Sequence, residues 1–376
     1  MPWNFHSYLR GVTLFKRGTT KSHTLVIGNQ AADADSLIAA AAYAFLRHSQ
    51  TGIGKISPLH TPIIPITAVK RCQLYLRRDV EVLLKEVDLN LCDLLTIDEY
   101  IGVETVIKDG NRPSSVVLVD HNEVTHDLFS KLGFSSMAQV DDALLVKEIL
   151  DHHKDGGRHL HSTKSNSGIR EIAFDTATGK AIVGSTCTLV AEKYLTGDNH
   201  VALSQDIATL LVGVIALDTY NMDVHLCTQR DRAALLALIT RYPSINRDRL
   251  FTIMSNAKFD PDFWQSLTAR DAIRLDFKAF EGVASGMIRP TSTNQSTAFG
   301  IAVILQPISA FVMKSDLVDE LTAMLRPENA ANAYDMLVVM TFVVEPVPRR
   351  ELLCICRTKE QMSTLSKYLE QNKSLR

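Results

Sequence analysis

Short apolar runs alternate with helical stretches through the first half of the chain, and several of those runs end on an acid. Residues 23–28 (HTLVIG) read as a buried strand closing in a polar turn, followed by an Ala- and Leu-rich helix over 33–47 (DADSLIAAAAYAFLR). Residues 61–67 read as a second strand and 80–87 as a helix. Strands follow at 93–98 (DLLTID), 115–120 (SVVLVD) and 144–150, the last running into Asp151-His152-His153. Residues 187–194 and 206–216 are helical, the second ending near Asp218. Strand and helix in alternation predict a mainly parallel sheet covered by helices on both faces. Functional groups of such sheets gather at the carboxyl ends of the strands. Asp33, Asp35, Asp98, Asp120 and Asp151 all fall at or just past a strand end, which predicts one acidic site along one edge of the sheet.

The texture changes after Asn221. Residues 229–242 form a helix bridging two parts, broken at Tyr242-Pro243. From residue 247 a smaller α+β region follows, with strands at 282–288, 300–305, 336–344 and 352–357, a helix at 314–325 and a Ser/Thr/Asn loop at 291–297. The expected class is therefore α/β, with a catalytic domain over residues 1–225, a linker helix over 226–246 and a second domain over 247–376.

Forty basic against 42 acidic residues leave a net charge of −2, which gives no support to a nucleic-acid-coating protein. A polyanionic ligand would need a local basic funnel. The six cysteines contain no C-x-x-C pair, and Cys354 and Cys356 share one face of a strand, as buried free thiols do. The start of the chain carries no secretory pattern, and no run approaches the ~18 apolar residues of a membrane span. A reducing, cytoplasmic setting is expected.

Four segments carry the chemistry: 28–36 (GNQAADADS), 118–123 (LVDHNE), 149–153 (ILDHH) and 216–222 (ALDTYNM). Asp33 and Asp35, two apart in a strand-to-helix turn, can converge on divalent ions, or can cap the helix together with Ser36. Taken with Asp120, His152, His153 and Asp218, the set favours a metal site.

In order and spacing, Asp33-x-Asp35-Ser36, Asp120-His121-Asn122, Asp151-His152-His153 and Asp218 resemble the successive motifs of the DHH phosphoesterase superfamily. Residues 266–280 (SLTARDAIRLDFKAF) resemble the second-domain signature shared by family II pyrophosphatases, Prune proteins and eukaryotic exopolyphosphatases. Arg71, Leu76 and Arg77 resemble the arginine-bearing segment of the exopolyphosphatase and Prune branch, and Asp98 its short acidic motif. The GGGH-type motif of the DHH nucleases is absent from the second half.

The resemblance implies hydrolysis of terminal phosphoanhydride bonds of inorganic polyphosphate, including short chains, by a hydroxide activated between two divalent ions. It implies Asp33, Asp35, Asp120, His152 and Asp218 as metal ligands, with Asp120 bridging. It places His153 and Lys278 on the substrate, with a second domain that closes over the cleft. Family II pyrophosphatases carry a His where this chain has Asn29, so the resemblance and the oxygen-rich neighbourhood favour Mg²⁺, with Mn²⁺ or Co²⁺ as alternatives. A pyrophosphatase, a Prune-like nucleotide phosphodiesterase and an interaction protein with a vestigial site are the competing readings. Neither nucleic acid nor membrane is expected as a partner.

Several residues stay open at this level. His121 can bind metal or support a ligand through hydrogen bonding. Ser185, in Gly184-Ser185-Thr186-Cys187-Thr188, can hold phosphate or cap a helix. Arg71 and Arg77 can line the substrate path or pair with Asp79 and Glu81. Arg349 and Arg350 read as solvated, and His159 and His161 as loop residues.

Overall fold

The computed structural model describes residues 4–14, 22–51, 62–101, 112–142, 145–164, 168–196, 202–282, 297–325, 334–343 and 349–371. These residues form two compact units, Met1–Lys258 and Phe259–Arg376.

In the first unit, α1 (Phe5–Thr13) precedes β1 (Thr24–Ile27), α2 (Ala34–Gln50) and β2 (Ile63–Ile66). After α3 (Arg78–Lys85) and α4 (Ile97–Ile101) come β3 (Ser115–Val119), α5 (His126–Lys131), α6 (Met137–Asp142) and β4 (Val146–Asp151). Then follow α7 (Leu160–Lys164), β5 (Ile169–Ile172) and a ribbon of β6 (Phe174–Asp175) with β7 (Lys180–Ala181). The unit ends with α8 (Thr186–Leu195), α9 (Gln205–Asp218), α10 (Gln229–Arg241) and α11 (Arg247–Lys258).

The five-stranded sheet has the order β2-β1-β3-β4-β5 and every pairing in it is parallel, as the alternation predicts. Its order reverses between β1 and β3, the switch point where open α/β sheets leave a crevice beyond their carboxyl ends. Helix α2 packs on β1, β2 and β3 on one side and on α8 and α9 on the other. That position explains its composition: alanines at 39–42 and 44 are all buried and let neighbouring backbones approach closely.

Residues 93–98 do not form a strand: Leu91–Asp93 is a 3₁₀ turn, α4 starts at Ile97, and Thr96 makes only an isolated parallel bridge to Thr67. Local chemistry wins there, because the Glu99 carboxylate reaches back to the Thr96 N–H (3.1 Å) as half of a capping box. The helix expected to link two domains, α10, packs on α8 and α9, and α11 packs on α3 and α9, so the compact first unit extends to Lys258.

The second unit contains α12 (Pro261–Ser266), α13 (Ala269–Leu275), β8 (Phe277–Gly282), β9 (Thr297–Ile304), α14 (Ile308–Phe311), α15 (Leu317–Leu325), β10 (Met336–Thr341), β11 (Leu352–Cys356) and α16 (Lys359–Gln371). Its mixed sheet has the order β11-β10-β9-β8. The expected helix over 314–325 is shorter, because the Lys314 ammonium donates to the carbonyls of Trp264 (3.1 Å) and Gln265 (3.2 Å) and α15 starts only at Leu317. The expected strand at 282–288 and loop at 291–297 lie outside the described residues except at their ends, as do Leu144, Val344, Pro346 and Pro348. Among the described residues, no helix is long and apolar enough to cross a membrane.

Candidate metal centre

The site forms where the chain leaves β1, β3 and β4. Beyond β1, Gly28 passes so close to α2 that a Cβ there would lie 2.7 Å from that of Ser36. This approach lets the Asn29 N–H donate to Ser36 Oγ (3.0 Å). Asn29 Oδ1 accepts the N–H groups of Ala31 (2.9 Å) and Ala32 (3.2 Å), and Ala32 sits in the left-handed region at φ 49°. Such a conformation is costly for alanine. It is stabilised by the buried Arg77 guanidinium, which donates to the Ala31 and Ala32 carbonyls. Asp33 caps α2, accepting the Ser36 N–H at 2.9 Å.

Asp120 follows β3 with φ 63° and is almost fully buried. Its Oδ2 accepts from Asn29 Nδ2 (2.8 Å) and Ser36 Oγ (2.6 Å), which uses both lone pairs. Its Oδ1 accepts from Thr186 Oγ1 (3.2 Å) and faces His152 Nε2 (3.4 Å) and His153 Nδ1 (3.6 Å). Asp35 lies at the N-terminus of α8: Oδ1 accepts from Ser185 Oγ (2.7 Å) and the Cys187 N–H (2.8 Å), Oδ2 from the Thr186 N–H (2.6 Å). One lone pair of Oδ2 is left, 3.9 Å from His152 Nε2.

The two histidines after β4 are held differently. His152 Nδ1 meets the Val183 carbonyl at 3.1 Å, which turns Nε2 toward Asp120 and Asp35. His153 Nδ1 meets Asp151 Oδ1 at 2.8 Å. Asp151 is fully buried and is itself held by Asn122 Nδ2 at 2.5 Å. Asn122 also donates to the Lys154 carbonyl (3.0 Å) and accepts the Gly156 N–H (2.9 Å), pinning the loop after the histidines. Asp218, the last residue of α9, has a buried Oδ2 with no hydrogen-bond partner among the described residues.

Electrostatics follow from this crowding. Burial, then Asp120, pushes the Asp35 carboxyl up to about 6. Burial and the neighbouring Asp35 raise Asp218 well above the carboxylate range. Burial opposes charge on Asp120 and on His152, but their mutual attraction prevails: Asp120 is held below its usual range and His152 is pushed up to about 10. Asp35 and Asp120 thus crowd one imidazolium with Asp218 close by, and Asp35 and Asp218 ionise only against burial and neighbouring carboxylates, an arrangement that further positive charge would stabilise.

The residues present fit a divalent cation. One ligand atom each from Asp120, His152 and His153 lie within 4.8 Å of one another. Asp218 offers an orphaned buried oxygen, and His152 shows the backbone-anchored Nδ1 of a metal-binding imidazole. Asp33 sits at the rim as a cap, close enough to raise both Asp35 and Asp218.

Other expected residues lie elsewhere or act through others. Arg71 donates to Glu99 (2.8 and 2.6 Å) and to the Leu91 carbonyl (2.7 Å), so its partner is Glu99 and not Asp79 or Glu81. Ser185 and Asn29 bind the carboxylates of Asp35 and Asp120. His121 turns Nδ1 to the Val119 carbonyl (2.9 Å), and burial lowers its pKa. His159, in the loop before α7 as expected, is buried between Asp141 (2.7 Å) and the Val124 N–H (3.2 Å), whereas His161 lies within α7. Lys278 belongs to the second unit, on the edge strand β8 opposite Ile301. Arg349 lies near Glu351 (3.6 Å) and Arg350 over the Phe342 ring. The supporting roles of Asn122, Thr186 and Asp151 had no signal of their own in the sequence, although all three stand in the segments singled out there.

A doubly wound parallel sheet with a carboxylate–imidazole metal centre at its switch point, continued by a second α+β unit, defines a class of metal-dependent protein. The chain belongs to the DHH family: the DHH family, N-terminal domain, matches residues 23–215, and the DHHA2 domain matches residues 252–376. It is 28% identical over 373 residues to exopolyphosphatase PRUNE1 of Bos taurus, covering 98% of this chain and 70% of that protein. It is 27% identical over 270 residues to the manganese-dependent inorganic pyrophosphatase of Methanothrix thermoacetophila, covering 70% of this chain and 68% of that one. Its fold is similar to that of a putative family II inorganic pyrophosphatase of Methanococcus jannaschii, with a TM-score of 0.55 and 19% identity over 88% of this chain and 86% of the other.

Proposed function

We propose that the chain is an exopolyphosphatase, a divalent-cation-dependent hydrolase of the terminal phosphoanhydride bonds of inorganic polyphosphate, short chains included. The observation that carries this reading is the convergence of Asp35 and Asp120 on His152, with Asp218 next to Asp35, in a chain similar to PRUNE1 exopolyphosphatases along nearly its whole length.

Asp33, Asp35, Asp120, His152 and Asp218 would hold two cations. Bound there, divalent cations supply a lowered pKa for water and neutralise phosphoryl oxygens. The protein's own contribution is placement. Asn29, Ser36 and Thr186 fix the Asp120 carboxylate, and Ser185 with the α8 N–H groups fixes Asp35. Asp151 orients His153, whose half-exposed ring would bind a phosphate oxygen or pass a proton to the leaving group. Lys278 is assigned to a terminal phosphate, with Phe259–Arg376 as the substrate-binding unit and Met1–Lys258 as the catalytic one. Mg²⁺ is the preferred ion, because Asn29 spends its amide on Asp120 and on two backbone N–H groups and adds no nitrogen ligand. The free cysteines suit a cytoplasmic setting.

The test is phosphate release with Mg²⁺ from pyrophosphate, tripolyphosphate and long polyphosphate, wild type beside Asp120→Asn. Release from tripolyphosphate or longer chains, lost in the variant, is the expected result. Release from pyrophosphate alone would make the protein a pyrophosphatase. No release from any of the three would refute the phosphoanhydride reading and turn attention to nucleotides.

A further inference from the structure

Residues 183–188 serve three of the proposed ligands at once. The Val183 carbonyl orients His152, the Ser185 hydroxyl with the Thr186 and Cys187 N–H groups binds Asp35, and the Thr186 hydroxyl binds Asp120. What fixes this segment is a residue outside all four acidic motifs. Asp231, in the first turn of α10, is fully buried. Its two oxygens accept the Gly184 N–H at 3.0 and 2.9 Å. Oδ1 also accepts Thr188 Oγ1 at 2.6 Å, and Oδ2 the Thr228 N–H at 2.8 Å. Gly184 is enclosed as well: a Cβ there would lie 2.9 Å from Thr219 Cγ2, 3.1 Å from the Leu226 carbonyl oxygen and 3.2 Å from Asp231 Oδ2. The segment therefore has a bond on one side and a wall on the other.

We infer that Asp231 is a positioning residue of the metal centre, setting the strength of cation binding through the 183–188 segment while touching no ligand itself. The inference rests on the metal reading above. Asp231→Asn keeps the volume but places an NH₂ group against N–H donors that need an acceptor. Partners that orient metal ligands typically govern affinity by about 10- to 100-fold.

The experiment is calorimetric titration of the full chain with Mn²⁺, alongside thermal unfolding in EDTA and phosphate release. Asp231→Asn should bind Mn²⁺ at least ~10-fold more weakly. Thr188→Val, which removes a single bond, should fall between it and wild type and decides the matter if Asp231→Asn does not fold. Arg230→Gln is the control: it strips the ion pairs to Glu192 (2.5 Å) and Glu171 (3.0 Å) from the same turn of α10 without touching 183–188, and should bind as wild type. Unchanged affinity in Asp231→Asn and Thr188→Val, or equal loss in Arg230→Gln, would overturn the inference. A wild type that takes no Mn²⁺ would overturn it together with the metal reading. Wild-type Mn²⁺ binding with the Asp231 contrast intact but no phosphate release would uphold it and refute only the polyphosphate reading.

Discussion

Removing a proposed ligand should make the cation-free protein more stable. Asp218 ends α9 with a buried oxygen that no donor among the described residues satisfies, and Asp35 is its electrostatic neighbour. The Asp35 carboxyl is raised from 3.8 to about 6, so the folded state holds its proton more tightly than the unfolded state does. Stability from this group is therefore greatest below the unfolded value and is lost as pH rises through 6. Above that it amounts to a deficit of about 3 kcal/mol, from 1.36 kcal/mol per unit. Asp218 is raised too, by burial first, and Asp218→Asn removes its buried charge; recovery of about 1–3 kcal/mol at pH 7.5 is expected, the usual worth of an unsatisfied buried polar group and roughly 2–10 °C in Tm. Thermal unfolding in EDTA should show that gain, and at pH 5 it should shrink, because Asp218, like Asp35, is then less ionised. With Mn²⁺ at 100 times its Kd the order should reverse, since wild type gains about 2.7 kcal/mol that the variant lacks. A variant less stable than wild type in EDTA, or an advantage of the same size at both pH values, would refute the argument.

Two further substitutions separate orienting residues from remote ones. Asn122→Ala releases Asp151 and the Lys154–Gly156 backbone, so His153 loses its fixed orientation. We expect phosphate release to fall by about 10–100-fold with Mn²⁺ affinity lowered less, since the His152 anchor at Val183 remains; a steady-state assay beside a Mn²⁺ titration reads both. Arg71→Gln loses Glu99 and the Leu91 carbonyl. It should lower Tm while leaving KM for tripolyphosphate within about twofold, the partner groups being left without a charge-assisted bond; a large rise in KM at unchanged Tm would return Arg71 to the substrate path.

Asp33, Asp35, Asp120 and Asp151 were readable because each stands at or just past a strand end, where apolar run and turn give a strong local signal; Asp218, at the end of α9, rested on the motif resemblance. The parallel sheet was readable for the same reason, and β1, β2, β3 and β4 appear where the apolar runs lie. The segment at 93–98 was not, because strand propensity and a capping box compete within six residues and side-chain hydrogen bonding at Thr96 decided the outcome. The two arginines after β2 show the larger difficulty. Both stand in one short segment, yet Arg77 turns inward to the Ala31 and Ala32 carbonyls while Arg71 turns to Glu99. Their directions depend on groups 28 to 46 residues away.

By itself, then, the sequence determined which ligand chemistries are available and at which strand ends they sit, since periodicity and motif spacing are local properties of the chain. Only the tertiary structure decided which lone pairs remain for a cation. That depends on bonds such as Thr186 to Asp35 and Asn29 to Asp120, between residues 151 and 91 positions apart. Asp231 belongs to the same level: a capping acid in sequence, it becomes part of the site because α10 packs beside α8.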